Sequence, residues 1–164
     1  MVICDSSVLI HLSAIGRLGL LKDFHGTLTI PQAVWREVVE QGLLRPGVEE
    51  VEAALREGWI EVRAVSKDPL LRSLKQSLDD GEAEVIALAV EHDAELVLLD
   101  ESEARKVAGL FDLKKTGAIG VLIRAKLTGR IDNLRAELDR LRSEGRFWIE
   151  EQLYREALRN VGEV

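Results

Sequence analysis

A lone cysteine, Cys4, cannot close an internal disulfide, so a reducing compartment suits this chain. No apolar run approaches the roughly 20 residues that a membrane-spanning helix requires. The opening Met1-Val2-Ile3-Cys4-Asp5 has neither a basic leader region nor a cleavage site, and a cytoplasmic location is expected. Nothing repeats internally and no stretch is of low complexity. GxGxxG and GxxxxGKS/T are both absent, which removes the usual phosphate-cradling loops. No serine sits in a GxSxG elbow. His11, His25 and His92 lack paired spacing, which argues against zinc, and they are read as surface or packing residues. Asp5-Ser6-Ser7 lacks the second aspartate that an aspartyl-phosphate nucleophile usually has two positions on. The acidic pair and late lysine of a phospho-receiver are not evident either.

What is present is the composition of a globular chain. Of 164 residues, 46% are hydrophobic and 31% charged, enough to bury one ordinary core. The net charge of −7 conceals a division. Residues 1–104 hold 9 Lys/Arg against 20 Asp/Glu, whereas residues 105–146 hold 11 against 5. Global acidity disfavours non-specific duplex binding, while the basic segment could touch phosphates or form solvated helix faces. One domain over 1–164 is expected, with an acidic part to residue 104 and a helical, basic part beyond it.

Hydrophobic periodicity alternates between two kinds of element. Val2-Ile3-Cys4, Thr27–Ile30, Ile60–Val65 and Leu96–Leu99 read as strands, and the last is a continuous apolar run of the kind buried on both faces. Helices are expected between them, with Ser6 or Ser7, Asp79 or Asp80, Thr116 and Asp132 as caps and with Pro31 and Pro46 opening two of them. Trp35, Trp59 and Trp148 are read as core, and Cys4 as buried and inert. Strands separated by helices predict a three-layer α/β/α sandwich with a mostly parallel central sheet. In such sheets ligands sit beyond the carboxyl ends of the strands. Two of the apolar strands each end there in an aspartate, Asp5 and Asp100.

Carboxylates are therefore the candidate chemistry. Glu37 lies one turn into the helix after Pro31. Glu82 opens the next strongly apolar helix and shares a face with Val85, Ile86 and Ala89. A carboxylate on a core-facing side needs a reason, because an unpaired buried charge is costly, although a helix N-terminus lightens that cost. Any one of these acids could be a cap or a surface residue. Four together, at strand ends and neighbouring helix faces, are harder to explain that way.

Four blocks in order resemble the PIN domain family. They are Val2-Ile3-Cys4-Asp5-Ser6-Ser7-Val8, Ile30-Pro31-Gln32-Ala33-Val34-Trp35-Arg36-Glu37-Val38, Asp80-Gly81-Glu82-Ala83-Glu84-Val85-Ile86 and Leu96-Val97-Leu98-Leu99-Asp100-Glu101. The tail around Thr116-Gly117-Ala118-Ile119-Gly120 resembles a prokaryotic PIN-like branch. The resemblance implies a metal-dependent ribonuclease, often the toxin of a toxin–antitoxin pair, with acidic residues binding Mg²⁺ or Mn²⁺. Carried over by position, the catalytic set is Asp5, Glu37, Glu82 and Asp100; Asp5, Glu82 and Asp100 are expected as metal ligands, with Glu103, a further acid past Asp100, as an extra one. Ser7, Arg105 and Lys106 are the expected substrate contacts. Glu82 and Glu84 lie about 200° apart on a helix, so one of them is expected to face the site, and Glu82 is preferred for its face. Oxygen-only ligands suit hard cations. Single-stranded RNA is the expected substrate, because a strand-end cleft admits a splayed chain more easily than a duplex. The other expected partners are a small antitoxin protein and, as an option, a second copy of the chain in a homodimer. Two rival readings stay open: a catalytically inactive PIN-like RNA-binding or protein-interaction module, and a small-molecule phosphohydrolase using the same acids.

Overall fold

The computed structural model describes residues 1–42 and 47–163. The helix start expected at Pro46 lies outside the described residues. Five strands pair in the order β3-β2-β1-β4-β5: β1 is Val2–Cys4, β2 Leu28–Pro31, β3 Ile60–Arg63, β4 Leu96–Leu98 and β5 Lys115–Thr116. Every pairing is parallel, so the sheet is all-parallel rather than mostly so. Ile3 is in register with Thr29 on one side and Val97 on the other, which makes β1 the central strand.

That register explains the composition of the strands. Ile3, Cys4, Leu28, Ile30, Val97 and Leu98 are fully buried, because helices cover the sheet. Helix α6 (Asp80–His92) lies against β1, β2 and β4, with α5 (Pro69–Leu74) and α7 (Ser102–Leu110) beside it. A second group comprises α1 (Ser6–Ala14), α2 (Gly19–His25), α4 (Val48–Glu57), α8 (Ala118–Leu127) and α9 (Leu134–Ser143). Helix α10 (Glu151–Asn160) packs on α8 and α9. Among the described residues no helix is long and apolar enough to cross a membrane.

Several local expectations shift. β3 ends at Arg63, and only Ile60 in it is buried; an edge strand has a partner on one side and less cover. β5 escapes a hydrophobic reading because it is two polar residues, placed by pairing with Val97 and Leu98. Thr116 therefore ends a strand, and Gly117 precedes α8. Asn133 rather than Asp132 caps α9, accepting from the Ala136 amide at 2.9 Å. Trp59 and Cys4 are buried and Trp35 is half-buried, but Trp148 is 82% exposed and is not core.

The chain runs β1 to β2 to β3 in one direction, then returns to place β4 on the other side of β1. With right-handed crossovers, the connections leaving β1 and β4 diverge to opposite faces and open a crevice at their carboxyl ends. Asp5 and Asp100 follow those two strands, and the Asp5 amide donates to the Leu98 carbonyl at 3.0 Å.

Candidate acidic site at the strand ends

Asp5 stands in extended backbone immediately before α1, the position of a helix cap, yet its side chain makes no capping bond. Its carboxylate is instead buried at the crevice. Oδ2 accepts from the Ser7 hydroxyl at a long 3.4 Å, and Oδ1 has no hydrogen-bond partner among the described residues. An orphaned buried carboxylate oxygen favours whatever positive charge it can gain, a proton or a cation. Accordingly its pKa is pushed up to about 7, mainly by burial and further by the charges of Asp79 and Glu37, with the Ser6 amide and Ser7 hydroxyl opposing.

Glu37 reaches the same place through an irregular helix. α3 begins as Gln32–Trp35 and continues as a π-turn, Arg36–Glu40, in which the Gln41 amide donates to the Arg36 carbonyl at 2.8 Å. The wider turn rotates the residues that follow relative to a regular helix, and such turns recur at functional sites. Glu37 Oε2 accepts from the Ser6 hydroxyl at 2.6 Å. Its other oxygen lies over Gly81, where a Cβ would stand 2.7 Å from Oε1. Burial raises its pKa, and the Asp79 charge adds to that effect, while Ser6 and the Gly81 amide oppose it.

Glu82 is drawn in by its own helix start. Asp79 Oδ1 accepts from the Glu82 amide at 2.8 Å, and Glu82 Oε1 accepts from the Asp79 amide at 3.3 Å, which closes a capping box. The pKa of Glu82 rises to about 8, through burial first, then its approach to Asp79 and the charge of Asp5. Glu84, on the other side of α6, accepts from the Ala33 amide at 3.2 Å and lies 3.7 Å from the Arg36 guanidinium. That buried acid serves the start of α3 rather than the crevice.

Asp100 faces the crevice from β4 but is tied differently. Its Oδ1 accepts from the Ala118 amide at the start of α8, and its Oδ2 meets His11 Nδ1, both at 2.8 Å. Asp5 and Asp100 flank Cys4, whose thiol is pushed well up by burial first and by both of their charges after it. Arg105 donates to the Leu99 carbonyl at 2.9 Å, while Lys106 and Glu103 are exposed on α7.

Asp5, Glu37 and Glu82 thus gather around Asp79, with Asp100 on the neighbouring strand and Glu103 outside the group. Among the described residues, no three His, Cys, Asp or Glu side chains already converge as a ready metal shell. The donors are nonetheless of the oxygen-only type, and the orphaned Asp5 Oδ1 supplies an unmet demand for positive charge, so the set fits a hard divalent cation. Three members were not singled out as site residues from sequence. Asp79 and Ser6 carry a local signal, a polar residue before an apolar helix, that reads equally as a cap. His11 carries none, because its partner lies 89 residues away.

Gly117 shows how tightly the Asp100 side is built. A Cβ there would stand 2.3 Å from Asp100 Oδ1 and 3.1 Å from the Leu99 carbonyl oxygen. Gly117→Ala is expected to displace Asp100 and cost about 1–3 kcal/mol of stability, read as a lowered urea midpoint. An unchanged midpoint would mean that the Asp100–Ala118 contact is not needed.

A family model described as a PIN domain matches residues 1–163. No curated protein matches the chain.

Proposed function

The chain belongs to the PIN domain family, whose members are typically nucleases and generally bind divalent metals; from that premise we propose that it is a Mg²⁺- or Mn²⁺-dependent endoribonuclease acting on single-stranded RNA. The observation that carries the reading is the orphaned Asp5 Oδ1 among carboxylates with raised pKa values at the crevice between β1 and β4. Asp5, Glu82 and Asp100 would hold the cation, with Glu37 and Asp79 beside them and Glu103 as an outer acid. When bound, Mg²⁺ or Mn²⁺ would polarise the scissile phosphate and offset charge on the departing oxygen.

The chain's own groups do the rest. Hydrolysis requires a water to lose a proton as the bond from phosphorus to the leaving oxygen breaks. A carboxylate raised towards neutrality is a better acceptor than an ordinary one, and Glu37, raised by burial and not among the residues that would hold the cation, would take that proton. Ser6 fixes Glu37, Ser7 approaches Asp5, and His11 holds Asp100. Arg105 and Lys106, on the helix after Asp100, would meet substrate phosphates. The acidity of residues 1–104 would suit a small antitoxin with a basic arm, and with such a partner the chain would be the toxin of a pair.

A second reading, an inactive RNA-binding or protein-interaction module, draws on one observation: the carboxylates of Glu82 and Asp100 already have partners within the protein. Purified protein incubated with single-stranded RNA, single-stranded DNA and a phosphate monoester, each with Mn²⁺ or chelator, separates the readings. RNA cleavage only with Mn²⁺ is expected. Binding of RNA without cleavage would favour the module, and turnover of the monoester alone would favour a phosphohydrolase.

A further inference from the structure

The crevice has a second border that is not acidic. After α9 the chain runs through Gly145-Arg146-Phe147-Trp148-Ile149 before α10 begins. Both flanks of Trp148 are anchored. Phe147 sets its ring edge-on against His11, with centroids 4.4 Å apart, and that same His11 holds Asp100. Ile149 is buried, and its carbonyl accepts from Arg142 at 3.0 Å. Trp148 lies between these two anchors and is 82% exposed. An indole left in water forgoes a large burial gain, and here the backbone on either side is fixed, so its exposure is built in.

The charges lining its surroundings are paired apart from one cation. An open hollow of about 600 Å³ is lined by Arg142, Arg146, Phe147, Trp148, Ile149 and Glu151. Arg142 lies 3.4 Å from Glu151 and stacks over Tyr154, so the single acid of the hollow is already matched. Arg146 is exposed, in the left-handed region at φ 51°, and forms no ion pair among the described residues. The hollow presents one exposed indole beside an uncompensated cation, rather than a contiguous apolar area of the kind a stable protein interface buries.

We propose that Trp148 is a stacking platform for one base of a single-stranded nucleic acid, with Arg146 holding an adjacent phosphate. The platform is joined to the acidic crevice through Phe147, His11 and Asp100. Any base offers a flat face to an indole, but a base inside a duplex has none free, so the surface selects single strands without selecting sequence. The substrate class deepens the ribonuclease reading and rests on it for what happens to the strand afterwards.

The test uses the full chain in chelator, where nothing is cut, with a short labelled single-stranded RNA. Binding is read by anisotropy and by quenching of indole fluorescence, and Trp148→Phe reports the background from Trp35 and Trp59. Trp148→Ala is expected to weaken binding about tenfold, and Trp148→Tyr to stay within about twofold of the parent. Arg146→Gln should flatten the salt dependence. Single-stranded DNA should quench as RNA does, and duplex RNA should not. If Trp148→Ala binds as tightly as the parent, the platform is overturned while the acidic site stands. If Asp5→Asn still cleaves at the parent's rate, the ribonuclease reading of Asp5 fails, yet Trp148 quenching in that variant would uphold the platform. Absence of quenching by any single strand overturns the platform outright.

Discussion

Asp5→Asn is expected to lower Mn²⁺-dependent cleavage of single-stranded RNA by about a hundredfold or more, while making the cation-free protein harder to unfold. The two effects have one cause. Asp5 is a carboxylate with one oxygen unpartnered among the described residues, and burial first, then the charges of Asp79 and Glu37, raise its pKa to about 7. Without a cation its negative charge is unfavourable, and an uncharged amide of the same shape relieves the repulsion. One unit of pKa corresponds to about 1.4 kcal/mol, and the relief expected here is ~1–3 kcal/mol. With a cation the balance inverts, because binding only to the folded cluster stabilises the parent by mass action. Loss of the charge then removes both a ligand and the positioning that depends on it, and removal of such a group commonly costs two to four powers of ten. Melting curves of parent and variant, each in chelator and in millimolar Mn²⁺, should cross in rank. A variant that melts lower in chelator and responds to Mn²⁺ as the parent does would make Asp5 a structural residue before α1. Cleavage at the parental rate would remove it from the mechanism.

The cation-free protein should also lose about 2–3 kcal/mol of stability between about pH 6 and pH 8.5. Asp5 is raised from 3.8 to about 7 and Glu82 from 4.5 to about 8, and Glu37 is raised as well. For groups raised on folding, the folded protein binds protons more tightly than the unfolded chain. Their contribution is complete below the unfolded values near 4, and it is lost as pH climbs through the folded values. Asp5 and Glu82 share a field, so their effects do not simply add. The window stays above the isoelectric point of 5.1 and above the range of Glu163, whose pKa is lowered by the Arg135 and Leu134 amides against the effect of burial. Millimolar Mn²⁺ should reverse the slope, since cations and protons compete for the same oxygens. Urea midpoints at three pH values, with chelator and with Mn²⁺, give the result. A flat profile in chelator would mean that these carboxylates are not crowded in solution, and an equal slope in Asp5→Asn would exclude Asp5 as its source.

Much of this site can be read along the chain because its signals are local. An apolar run closed by an acid marks a strand end, which is how Asp5 and Asp100 stand out, and the switch between periods of 2 and 3.6 predicts the alternating order that builds the sheet. The face argument on α6 likewise separates Glu82 from Glu84, because 100° per residue is a property of any helix. Other assignments depend on partners far away in sequence. Lys115 and Thr116 form a strand only because β4 offers them free hydrogen-bonding groups. Asp79 reads as a cap, and it is one, but its charge also acts on Asp5 and Glu37 across the crevice. His11 looks like one more residue of α1 until Asp100 arrives beside it. Trp148 has the composition of a core residue, yet it is exposed while its neighbours turn inward, Phe147 half-buried against His11 and Ile149 buried. By itself the sequence determined the alternation of the first four strands with helices, an α/β fold with a mostly parallel sheet and which acids stand at strand ends, since backbone preference and periodicity act between near neighbours. Which carboxylates press on one another, which oxygen is left without a partner and which indole faces water were decided only by the tertiary structure, because charge, desolvation and burial depend on every group within a few ångströms, however distant along the chain.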